Sequence, residues 1–196
     1  MSEKLIVLPL DLASMSSVGK FCENVDKRIT KIDYLLCNGG VMFVPFKHTE
    51  NGFESHMAIN YYSHCLLILK MLPLMNQSSE SRIVIVSSGA HHASLGLRLD
   101  DLNSSNLFSI YHSYAQSKLA LIMFTYRLNK WLRTHTKSTV TVNCLHPGIC
   151  RTGLMSNFNF FKLRAIQDLP LFRVSICFYY YYYYYYYYYY YSLIII

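Results

Sequence analysis

The chain has 196 residues, enough for one domain with a real core and hardly enough for two. Its formal net charge is +7 with 15% charged residues, and no nucleic-acid module accompanies the excess of positive charge, so no nucleic-acid partner is expected. Eight histidines and six cysteines contain no HExxH and no CxxC, so neither a metal site nor a disulfide framework is expected; the cysteines sit mostly in apolar runs and suit buried free thiols in a reducing compartment.

In chain order, "KLIVLPL" (4–10) is a short apolar run, predicted as a strand and ended by Pro9 and Asp11. It is too short and too soon acidic for a signal peptide. "SMSSVGKFCENVDKRI" (14–29) has helical periodicity through Val18, Phe21, Val25 and Ile29, with serines available to cap it. "IDYLLC" (32–37) is a second strand, stopped by "NGG" (38–40). A long apolar helix is predicted over 52–75, a third strand over "RIVIVSS" (82–88) and a second long helix over 111–135. "STVTVNCLHPG" (138–148) is a fourth strand, stopped by Pro147 and Gly148.

These strands are apolar on both faces and alternate with helices, which points to an α/β fold with a doubly wound parallel sheet of Rossmann type. In such sheets ligands bind beyond the C-terminal ends of the strands. Asp11, Asn38 to Gly40, Ser87, Ser88, Pro147 and Gly148 all fall there.

After Asp101 the only acidic residue is Asp168, while nine Lys or Arg follow. Four of them, Arg127, Lys130, Arg133 and Lys137, recur at helical spacing. They read as a solvated face near a helix C-terminus, or as a surface for anionic lipid. Residues 179–191 are thirteen consecutive tyrosines in an uncharged stretch running from Val174 to Ile196. That stretch is long enough to span a bilayer, but tyrosine favours the interface. A translated trinucleotide repeat explains it more simply. The domain is therefore placed at 1–170 and the Tyr-rich tail, 171–196, outside the fold.

The motifs in this order resemble the short-chain dehydrogenases/reductases, specifically their retinol-dehydrogenase-like branch. "LDLASM", "NGGVM", "GFESHMAINYYSHCLL", "RIVIVSS", "SYAQSKLAL" and "HPGICRT" carry the likeness, which covers roughly residues 4 to 165. The resemblance implies hydride transfer between NAD or NADP and a lipophilic alcohol or carbonyl. It implies Tyr114 as general acid/base, with Lys118 one helical turn away lowering its pKa and holding the nicotinamide ribose. Ser88 would stabilise the substrate oxygen, with Ser87 the competing assignment, and Asn60 would support a water relay to the lysine. On the cofactor side the likeness points to Asp11 and Leu12 beside the adenine, to Asn38, Gly39 and Gly40 in the family's small-residue turn, and to Pro147, Gly148, Ile149 and Thr152 at the nicotinamide end.

The family's opening strand and "TGxxxGxG" turn do not occur, and the "CNGG" run departs from the usual "NNAG" at Cys37 and Gly39. The expectation is a fold incomplete at both ends, lacking its first βαβ unit and its C-terminal strand. NAD cannot be told from NADP. Two functions stay open at this point. One is the oxidoreductase; the other is a non-catalytic chain that pairs, as a homo- or heterodimer, with a full-length relative through its two long helices. A reducing compartment or a cytosol-facing membrane surface is expected, with membrane association left open.

Overall fold

The computed structural model describes residues 5–148, Leu154 and the strand Leu193–Ile195. Helix α1, Met15–Asp26, opens where the Ser14 hydroxyl accepts the Ser17 N–H at 3.2 Å. Its buried residues Val18, Phe21, Cys22 and Val25 repeat at one helical face. Strands β1, Tyr34–Cys37, β2, Arg82–Val86, and β3, Thr141–Leu145, pair in parallel with Leu35 beside Ile83 and Ile83 beside Val142. The central β2 buries Ile83 and Ile85 completely.

The first long helix is not a plain α-helix. It passes through a π-helical segment, Met57–Tyr62, before becoming α2, Ser63–Met75. Pro73 falls in its last turn, where it removes one backbone hydrogen bond and crowds the carbonyl four residues earlier. Helix α3, Ile110–His135, is capped by Ser109, whose hydroxyl accepts the His112 N–H. Helix α1 packs on α2, and α3 packs on the π segment and on β3. Residues from all three helices and from β1, β2 and β3 join one continuous apolar core. The arrangement is an incomplete Rossmann-type α/β fold, as the sequence pattern predicts.

Three details differ from the expectation. Residues 5–10 form no strand, and Leu5 and Val7 are 76% and 83% exposed. An apolar run becomes a strand only where a neighbour offers a ladder, and the outer edge of β1 is already occupied. Its occupant is β4, Leu193–Ile195, which pairs antiparallel with Leu35 to Cys37 and makes the sheet mixed, in the order β3-β2-β1-β4. The rest of the tail, 171–192 and 196, lies outside the described residues. The helix expected from 52 begins at Ser55, because residues 47–55 close a small hairpin: the Ser55 and Thr49 N–H groups bond the Lys47 and Phe53 carbonyls, and Gly52 takes the positive φ that the turn needs.

Arg127, Lys130 and Arg133 are exposed on the side of α3 opposite Leu121, Leu128 and Leu132. Among the described residues no helix is long and apolar enough to cross a membrane.

Stability should track this core. Replacing Ile83 with Ala in the central strand is expected to cost about 2–5 kcal/mol, whereas Leu5→Ser should stay within about 0.5 kcal/mol. Urea unfolding with an unchanged m-value checks both.

Candidate active site

The strand register brings the predicted polar residues to one edge of the sheet. Cys37, Ile85 and Cys144 are level across the three parallel strands. Beyond them emerge Asn38 to Gly40, Ser87 with Ser88, and His146 to Gly148. The Ser87 N–H still follows the ladder, donating to the Leu145 carbonyl at 2.8 Å. Ser88 leaves it to cap the short 3-10 turn Gly89–Ala93, its hydroxyl accepting the Ala90 N–H. The Gly89 N–H donates to His146 Nδ1 at 3.1 Å, so the exits of β2 and β3 are tied together.

Helix α3 delivers Tyr114 and Lys118 to this edge. Every residue from Ser113 to Lys118 is buried, on all sides of the helix. Gln116 explains part of this enclosure, accepting the Arg98 N–H at 2.8 Å from the loop that precedes the helix. The two serines after β2 are then distinguished by their partners. Ser87 is buried and its hydroxyl donates to the Lys118 carbonyl at 2.8 Å. Ser88 instead stands beside the Tyr114 phenol and favours its ionised form.

Burial pushes the Tyr114 phenol above its ordinary value, and neighbouring Ser88 pulls it partly back. Burial also pushes the Lys118 ammonium down to about 8, with Cys144 opposing. The lowering of the phenol by lysine, expected from the spacing, is not part of this balance. The Lys118 Nζ donates to the Val86 carbonyl at 3.0 Å and lies 5.9 Å from the Tyr114 ring centroid. The spacing does put both side chains on one face, but the strand-end carbonyl decides where the ammonium points.

Asn60 is fully buried within the π segment. Its Oδ1 accepts the Val41 N–H at 2.8 Å, and its Nδ2 donates to the Val41 carbonyl and to Ser117 Oγ at 3.0 and 2.9 Å. Ser117 in turn donates to the Tyr114 carbonyl at 2.7 Å. The "NGG" turn is wedged above these groups. A Cβ on Gly40 would lie 2.9 Å from Asn60 Oδ1 and 3.5 Å from Lys118 Nζ, and one on Gly39 would lie 2.8 Å from Leu12. Leu12 is therefore brought to the site. Asp11 Oδ1 accepts the Ala13 N–H at 2.7 Å, at the entry to α1. Asn38 is exposed and Pro147 and Gly148 are half-buried, while Ile149 and Thr152 lie outside the described residues.

Sequence reasoning missed Ser117, Gln116 and His64. His64 is buried beneath the turn, its Nε2 bonded to the Gly39 carbonyl at 2.9 Å, and burial holds its pKa down to about 4. A separate cleft of about 320 Å³, between Phe53, Tyr62 and the 100–106 loop, shares no residue with this cluster.

The sequence matches the family described as short chain dehydrogenase over residues 1–161. The chain belongs to the short-chain dehydrogenase family. It is 42% identical to human retinol dehydrogenase 14 over 151 residues, which are 77% of this chain and 44% of that protein. It is 39% identical to human polyprenol dehydrogenase over 158 residues, 79% of this chain and 47% of that one. The chain thus spans about half the length of the curated relatives it matches. Among solved structures, an uncharacterized protein from Mycobacterium paratuberculosis superposes with a TM-score of 0.64 at 36% identity, over 75% of this chain and 52% of that one. The Pseudomonas aeruginosa RhlG/NADP complex superposes with a TM-score of 0.58 over 83% of this chain and 57% of that one; at 22% identity it speaks to the fold of this short-chain dehydrogenase alone.

The buried Lys118 carries a testable cost. Its folded pKa is lowered, so the unfolded chain binds the proton more tightly and the penalty is full below about pH 8, fading as pH rises towards 10.5. Lys118→Met should therefore raise stability, on the order of 1–3 kcal/mol at pH 7. Melting curves from pH 7 to 10.5 should show the gap to the parent chain closing.

Proposed function

We propose that this chain acts as an oxidoreductase that transfers hydride between NAD(P)(H) and a lipophilic alcohol or carbonyl. The observation that carries this reading is the buried Tyr114 phenol, beside Ser88 and one turn from a buried lysine, at the C-terminal edge of the sheet. The names of the retinol and polyprenol dehydrogenases support the lipophilic class of substrate.

The residues suit a nicotinamide cofactor in one respect that can be read directly. Among the described residues Lys118 Nζ has one hydrogen-bond acceptor, the Val86 carbonyl, and an ammonium has three donors. Two remain for hydroxyl groups such as those of a ribose. The backbone of Asn38 to Gly40, Leu12 and Asp11, and Pro147, Gly148, Ile149 and Thr152 complete the set assigned to the cofactor. No "TGxxxGxG" turn occurs in the 196 residues, so these residues contain no pyrophosphate cradle of the usual kind. When bound, the nicotinamide supplies or accepts the hydride.

The side chains of this chain handle the proton. In carbonyl reduction Tyr114 gives its phenolic proton to the substrate oxygen, while Ser88 donates a hydrogen bond to the same atom. Ser88, which favours the ionised phenol, stands beside the phenolate left behind. In alcohol oxidation the proton moves the other way. Asn60 acts through the backbone it holds, at Val41, and through Ser117.

A second reading, a non-catalytic chain that pairs with a longer relative, draws on exposed Leu69, Met123, Tyr126 and Trp131 on the two long helices. Cofactor titration separates the two. NADH or NADPH fluorescence should saturate below millimolar concentration; no binding at that level, together with co-purification of a full-length relative, establishes the second reading instead.

Tyr114→Phe should lower reduction of a lipophilic aldehyde by about 10²–10⁴-fold and leave cofactor affinity unchanged. Because the phenol lies above its ordinary value, it is protonated at neutral pH. Reduction should therefore be fast near pH 7, and oxidation should climb with pH through 9. An oxidation rate flat across that range speaks against Tyr114 as the base.

A further inference from the structure

The stretch "GFESH" before the π segment holds a carboxylate–imidazole pair that the chemistry above does not use. Glu54 and His56 are both fully buried, with Glu54 Oε1 2.7 Å from His56 Nδ1. The other carboxylate oxygen accepts the Met57 N–H at 3.0 Å. The far nitrogen of the imidazole, Nε2, accepts the Val44 N–H at 3.3 Å. A nitrogen that accepts carries no proton, so the proton sits on Nδ1 and is donated to Glu54. The carboxylate therefore sets the tautomer, and the tautomer provides the acceptor that Val44 needs.

Asn60 lies one helical turn after His56 and grips the same loop at Val41. The segment between these two anchors contains Phe43, which has a φ of 55°. A non-glycine residue rarely takes that conformation without being held there. The Phe43 ring packs edge-on against Tyr114 at 5.5 Å and Tyr111 at 4.8 Å, and the His56 ring lies 6.2 Å from Tyr114. Helix-borne side chains thus hold a strained loop at both ends, and the residue between the ends lies against the phenol.

We propose that Glu54 and His56 are positioning residues: the carboxylate fixes the imidazole, the imidazole fixes Val44, and with Asn60 they keep Phe43 against Tyr114 as a wall of the substrate side of the site. This rests on Tyr114 being the acid/base of the reaction proposed above, but its central measurements need no turnover.

In protein labelled with 15N-histidine, the His56 ring, assigned by its loss in His56→Leu, should show the Nδ1–H tautomer at neutral pH. An Nε2–H tautomer overturns the proposal. Glu54→Gln keeps the size of the side chain and should accelerate amide exchange across residues 41–47 by about tenfold or more, with exchange in β1 to β3 unchanged. Unchanged exchange at 41–47 in folded Glu54→Gln also overturns it. If His56→Leu does not fold, its loss assigns nothing; His56→Gln then makes the assignment, and Glu54→Gln still decides. In the aldehyde assay Glu54→Gln should reduce kcat by about 10-fold or more while the KM for cofactor stays within about twofold, as misplacing a reacting group does. A drop confined to cofactor KM counts against the proposal. A parent chain that binds no cofactor and shows no turnover removes the dehydrogenase reading, and the tautomer and exchange results then judge the clamp alone.

Discussion

The structure around the site depends on one buried amide. Asn60 is inaccessible to water, and its carboxamide is matched to both backbone groups of Val41 and to Ser117. A buried amide without partners costs about 1–3 kcal/mol per unmatched group, so these contacts are effectively obligatory once the helix is in place. Through them the exit of β1, the π segment and the start of α3 are fixed relative to one another. Tyr114 inherits its position from that junction, because Ser117 hands the connection on to the Tyr114 carbonyl.

The same region works against stability in other ways. It buries an ammonium, a carboxylate with its imidazole, and a histidine whose Nδ1 has no hydrogen-bond partner among the described residues. Desolvation of such groups is unfavourable, and the apolar packing of Leu35, Leu67, Ile68, Met71 and Ile83 elsewhere in the core has to offset it. Strain at Phe43 adds to that burden. Active sites commonly concentrate features of this kind, since groups held away from their preferred state are the ones ready to react.

The parallel strands were legible in the sequence because "IDYLLC", "RIVIVSS" and "STVTVNCLHPG" are apolar on both faces and end in turn residues. "KLIVLPL" has the same local character and still forms no strand, since local pattern says nothing about whether a neighbouring edge is open. Motif order pointed to Tyr114, Lys118, Ser88, Asn60, Leu12 and the two glycines, and the structure gathers them at one edge. What spacing could not give was direction. The i, i+4 relation places Lys118 near Tyr114, but the Val86 carbonyl orients it. Glu54 and His56 were invisible for a related reason. Two residues apart, they share no helical face, and they meet only because the chain enters the helix from a hairpin.

The π segment has a bearing on how this chain can vary. A π turn takes in about one residue more than an α turn, so everything before it is rotated by roughly 100° against everything after it. His56 stands on the early side of that offset, Asn60 within it, and the apolar face of α2 beyond it. Removal of a single residue between 57 and 62 would give a more regular helix and still misalign either the polar grip on the loop or the face that meets the sheet. The length of this stretch is therefore as constrained as the identity of Asn60 within it.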